Sequence, residues 1–201
     1  MRSTEVTTMT LALPRRAAGV LALGLLAGCG NQPAPPFAML PPNPANPLAD
    51  PARQAILHTA YVFAVPGRLG GNAAEAAQAI SEAEFLAVEL RYGSRWIEMQ
   101  PIAQMAFEQA RLEWRSALGI DLAADPQAVI DALTRLRIGL GAQDSAAAAA
   151  ALRPPLATPG GASVLGRLDA LPALPRTAWA ASIAQQEMMR MDRQGTRDGW
   201  E

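Results

Sequence analysis

His58 is the only histidine in this chain of 201 residues, and an imidazole is the side chain best suited to moving a proton or binding a metal near neutral pH. It sits beside an apolar helical stripe between Leu57 and Thr59, with no His, Cys, Asp or Glu at ligand spacing. The sequence therefore makes it a boundary or surface histidine. Glu75, Glu82 and Glu89 recur every seventh residue. On a helix that interval is about two turns, near 10 Å, too far for two of them to share a proton or an ion, so they read as a solvated face. Glu98, Glu108 and Glu113 raise the paired carboxylates of glycoside cleavage. Glu108 and Glu113 fall about 140° apart around a helix, however, and Arg111 and Arg115 stand close enough to make surface ion pairs of them.

Two other patterns resolve in the same way. Met188, Met189 and Met191 suggest a thioether copper site, but neighbouring methionines on a helix point in different directions, which suits a core or docking face. Gly70-Gly71 lacks the glycine spacing, the lysine and the preceding strand of a phosphate loop. The single cysteine, Cys29, excludes an internal disulfide and a multi-cysteine metal site. No metal, cofactor or catalytic constellation follows from the sequence.

Cys29 gains meaning from what precedes it. Arg15 and Arg16 lead into an apolar stretch over residues 17–27, too short for a spanning helix, which needs about 20 residues. The order of basic, apolar and small residues is that of a targeting peptide, with Met1 or Met9 as its start. Leu26-Ala27-Gly28-Cys29 then resembles the lipobox of bacterial lipoprotein precursors. That resemblance covers only residues 1–29 and implies cleavage before Cys29, a diacylglycerol thioether on its sulfur and an acyl chain such as palmitate on its new amino group. It further implies a cell-envelope location, anchored to a membrane. With Gly30 rather than aspartate after the cysteine, the resemblance implies the outer membrane, facing the periplasm.

Behind the cysteine, residues 29–49 are rich in proline and predict an extended spacer. At about 3 Å per residue a free spacer of this length reaches roughly 50–60 Å. Phe37, Met39 and Leu40 interrupt its polarity, as incidental contacts to membrane or domain. Residues 50–192 carry the helical signals, and residues 193–201 read as a polar tail.

The predicted fold class is all-α, an irregular helical bundle of about five helices. The first spans residues 50–65, with Ile56, Leu57, Ala60, Tyr61, Ala64 and Val65 on its apolar face; Pro66-Gly67 ends it. Asn72 caps the second, with Glu75 placed for a capping box, and Ala76, Ile80, Ala83, Ala87 and Leu90 line one side of it. Gln100-Pro101 and Asp125-Pro126 open two more helices, ended by Gly119 and by Gly139 with Gly141. The alanine run 146–151 predicts a short helix, and residues 177–192 the last one.

Cleavage would leave 14 arginines against 17 carboxylates, a charge of −3 with no lysine anywhere. That balance offers nothing to nucleic acid. Two function classes remain: an anchored, non-catalytic module that docks an envelope protein partner, or a carrier of a small apolar ligand or lipid between helices. Trp96, Phe107, Trp114 and Trp179 are the candidate walls for the second. A hydrolase would need distant polar residues to meet around His58.

Overall fold

The computed structural model describes residues 36–42, 47–156 and 163–198. Within them lie seven α-helices: α1 (Pro51–Phe63), α2 (Ala73–Tyr92), α3 (Pro101–Leu118), α4 (Pro126–Gly141), α5 (Ser145–Ala151), α6 (Val164–Asp169) and α7 (Pro175–Asp198). A 3-10 turn, Ser94–Trp96, precedes α3, and there is no strand among the described residues. The class is all-α as expected, with seven helices rather than five. The lipobox and the predicted signal peptide lie outside the described residues.

Side chains fix where most helices begin. Asp50 accepts from the Ala52 and Arg53 N–H groups, Asn72 from Glu75, Asp125 from Ala128 and Asp144 from Ala147, so one or two of the donors freed at each of these helix starts find an oxygen. Pro51, Pro101, Pro126 and Pro175 occupy first helical positions, where no N–H is needed. At the far end of α3, Gly119 takes φ 71°, a left-handed cap that a side chain would disfavour.

Central to the bundle is α2, against which α1, α3, α4 and α6 all pack. Its alanines let those neighbours close in: Ala76, Ala77, Ala79, Ala83 and Ala87 are fully buried, as are Ile80, Leu86 and Leu90. The predicted stripe of α2 is its core face. Helix α7 closes the bundle by packing on α1 and α3. It runs to Asp198, through most of the stretch expected to be a polar tail.

The core face of α1 is turned from the predicted one. Ala52, Ala55, Ile56, Thr59, Val62 and Phe63 are buried, whereas Leu57, Tyr61 and Val65 are exposed. Thr59 can face inward because its hydroxyl donates to the carbonyl of Ala55 at 2.7 Å, which removes the cost of burying it. Tyr61 instead stacks outside under Arg68, whose guanidinium carbon lies 4.0 Å from the ring centre.

Gly139 does not stop α4. It lies inside the helix where α5 crosses, and a Cβ added there would meet the Ala148 nitrogen at 2.7 Å. Only glycine permits that approach. Gly141 is the last residue of the helix.

The linker is not wholly a free spacer. Ala38 is buried, and Met39 pairs with Gln127 on α4 in both directions. Its N–H donates to Gln127 Oε1 at 2.7 Å, and its carbonyl accepts from Nε2 at 3.2 Å. The side-chain amide thus treats the linker as a neighbouring strand would.

Candidate functional site

Beneath the docked linker, α1, α2 and α4 enclose an open cleft of about 590 Å³. Leu40 and Pro41 of the linker, with Leu57 and Tyr61 of α1, supply apolar walls; Gln54, Gln78, Thr134 and Arg137 supply polar ones. His58 and Glu82 lie at its edge, brought together because α1 and α2 pack side by side.

His58 is held at both ring nitrogens. Nε2 bonds Glu75 Oε1 at 2.8 Å, and Nδ1 makes a short contact with Glu82 Oε2. Gln78 occupies the other Glu82 oxygen at 2.9 Å. Burial opposes a charge on the ring, but the hydrogen bonds and charges of Glu82 and then Glu75 outweigh it, raising the pKa from 6.5 to about 9. The histidine is therefore an imidazolium at neutral pH, donating at both nitrogens. In that state it offers no lone pair to a proton or a metal.

This arrangement corrects the reading of the glutamates as a solvated face. Glu82 is buried, and Glu89 accepts from the Trp96 indole at 3.0 Å. Two turns are too far for Glu75 and Glu82 to share one proton, yet a ring with nitrogens on opposite sides spans them. Glu75 consequently does not complete a capping box; the Asn72 N–H donates to the Leu69 carbonyl instead. The missed signal was Glu75 and Glu82 flanking Gln78 at helical spacing, which makes one polar stripe on α2.

Nor do the carboxylates of α3 and their arginines form a surface cluster. Arg115 is almost wholly buried against Glu84, which is fully buried on α2. Its Nε donates to Glu84 Oε1 at 2.7 Å and Nη2 to Oε2 at 2.8 Å, while Trp114 Nε1 donates to Oε1 at 2.8 Å. The remaining Nη1 reaches the carbonyls of Asp121, Leu122 and Ala124, tying the loop after α3 to the core. Glu84 was legible: it interrupts the apolar positions Ile80, Ala87 and Val88. A lone charge on such a stripe calls for a buried partner.

Glu108 pairs with Arg91 of α2 at 3.5 Å, and Glu113 turns to the start of α7. Met188 is buried while Met189 is exposed, so adjacent methionines diverge as expected. Ser81, which also lines the cleft, has a buried hydroxyl without a hydrogen-bond partner. It does not bond His58, so no nucleophile–base contact is formed between them. No group of three or more His, Cys, Asp or Glu among the described residues is placed to hold a metal ion.

Trp96, Phe107 and Trp114 are buried, the last two edge to face with ring centres 6.5 Å apart. Trp179 is half exposed on α7. The four do not line the cleft beneath the linker. Among the described residues no helix is long and apolar enough to cross a membrane. No protein-family model matches the chain, and neither a curated protein nor a solved structure matches it.

Proposed function

We propose that this chain is a lipoprotein of the bacterial cell envelope, held to the membrane by diacylglycerol on Cys29, whose helical domain docks an envelope protein partner. The observation that carries the reading is Leu26-Ala27-Gly28-Cys29 behind an apolar stretch and two arginines, with the only thiol of the chain at the position that receives the lipid. Several acyl chains on one residue give firm attachment where one chain is marginal. The domain supports a docking role because the polar groups that sequence put forward for chemistry are spent on holding helices together. His58 joins α1 to α2, Arg115 joins α3 to α2, and Glu113 joins α3 to α7.

A second reading, a carrier for a small amphipathic or apolar ligand, draws on the cleft between the linker, α1, α2 and α4 rather than on the four aromatic residues. Its mixed walls suit a molecule with a polar end.

Metabolic labelling with an alkyne analogue of palmitate tests the anchor. Wild-type chain takes up label and fractionates with membranes; Cys29→Ser does neither and keeps its helical circular dichroism. Membrane attachment and labelling that survive the substitution would sink the proposal. Crosslinking in the native envelope separates the two roles: an enriched protein partner supports docking, and copurified lipid alone favours the carrier.

A further inference from the structure

We infer that the face of the domain bearing the docked linker lies on the bilayer that holds Cys29, with Phe37 and Met39 at the level of the lipid headgroups. This rests on the anchoring proposed above and adds an orientation to it. The first argument is length. Residues 30–37 are all that separates Cys29 from the docked Ala38, and at about 3.3 Å per residue the chain between them spans no more than roughly 30 Å. At Ala38 and Met39 the chain is bound: Ala38 is buried and Met39 pairs with Gln127. A wholly free spacer would let the domain tumble far from the surface. This one keeps Gln127 of α4, where Met39 is held, within that reach of the lipid.

The second argument is what that face presents. In an extended segment alternate side chains point to opposite sides, and burial of Ala38 turns its neighbours outward. Phe37 is 75% and Met39 58% exposed, and Leu48, just before α1, is 96% exposed. Residues 36–42 and 47–49 carry no charge, so nothing in the segment has to shed ionic hydration to meet lipid. On the exposed side of α4, Asp131 and Arg135 sit one turn apart with opposite charge. A few apolar side chains do not hold a domain on a membrane by themselves, but they orient one that a lipid already tethers.

The test uses the full protein carrying its native lipid. Cys29 is blocked by its thioether, so Met39→Cys, Arg135→Cys and Ile102→Cys can each be labelled with a polarity-sensitive fluorophore. Ile102 is exposed on α3, which packs on α2 and α7. Each protein is placed in phosphatidylcholine and phosphatidylethanolamine vesicles containing nitroxide-headgroup lipid and collected by flotation. Labels at positions 39 and 135 are expected to be quenched at least twofold more than the label at 102, and Gln127→Ala is expected to lower the quenching at 135. Equal quenching at 135 and 102 in floating vesicles overturns the orientation while leaving the anchor standing. Protection of position 39 from aqueous iodide without lipid quenching overturns it in favour of a second copy of the chain covering that face. Failure to float removes the anchor, and the orientation with it.

Discussion

Glu113, near the end of α3, holds Thr177 in the first turn of α7 by two hydrogen bonds, one from its N–H and one from its hydroxyl, each 2.8 Å. The same carboxylate accepts from the Arg176 N–H at 3.1 Å. The favour is returned at the other end of the pair: Glu187 on α7 accepts from the Gln100 N–H, at the start of α3, at 3.2 Å. Each helix thus supplies the cap that the other lacks. Caps borrowed between helices differ from local ones because they fix where one helix sits along the other.

Replacing Glu113 tests that exchange. Glu113→Ala should lower stability by about 1–2 kcal/mol, the upper range for loss of a helix cap, because three donors lose one acceptor. Glu113→Gln, which keeps an acceptor oxygen, should recover part of the loss in urea denaturation. Equal stability of both variants and wild type would show that water replaces the carboxylate without cost.

The buried pair of Glu84 and Arg115 predicts a larger effect. Glu84→Gln leaves the guanidinium buried without its countercharge and should cost about 3–5 kcal/mol, read as a fall in the urea midpoint. Changing both residues together to apolar ones, Glu84→Leu with Arg115→Met, should cost less than the sum of the single changes, since the fully buried guanidinium then leaves with its partner and only the part-exposed Arg111, 3.4 Å from Glu84, loses a countercharge. A double variant as unstable as the sum of the singles would contradict this.

His58 gives stability a dependence on pH. Its folded pKa is raised to about 9 from 6.5, so its contribution is fully present below pH 6.5 and is lost as pH rises through about 9. Solvent screens the part-exposed ring, and the difference between pH 6 and pH 10 attributable to it should be about 1–2 kcal/mol rather than the full shift. Urea midpoints of wild type and His58→Gln across that range provide the check; the gap between the two proteins should close above pH 9.

Two glycines of α4 should answer the same substitution differently. Gly139→Ala drives a methyl group into the backbone of α5 and should cost about 1–3 kcal/mol, with α5 loosened in hydrogen exchange. Gly141→Ala meets nothing within 4 Å and should be neutral or gain up to about 1 kcal/mol from helix propensity. Similar losses at both sites would refute the close crossing of α4 and α5.

Much of the fold was legible because helix punctuation is local. Asn72, Asp125, Pro101 and Pro126 at helix starts, with Gly119 at a helix end, act through their own turn of backbone, and the structure places them where the sequence did. Faces were harder. Ile56 to Val65 holds enough apolar residues for two adjoining stripes, and the winner depends on the alanines of α2 and on Thr59 satisfying itself. The polar groups were hardest, since partners such as His58 and Glu82, or Arg115 and Glu84, lie on different helices. Spacing within α2 marks Glu75, Gln78 and Glu82 as one polar stripe but does not say that a ring from α1 spans its two glutamates.

The pairing of Met39 with Gln127 also decides how a mechanical load enters the domain. A pull from the amino-terminal side arrives first at the amide of Gln127 and at buried Ala38, before the chain reaches Asp50 and the first turn of α1. Asp50 caps that turn and is itself gripped by Arg95. Tension is therefore divided between α4 and α1 in sequence, and the first helix is spared from being peeled open from its end.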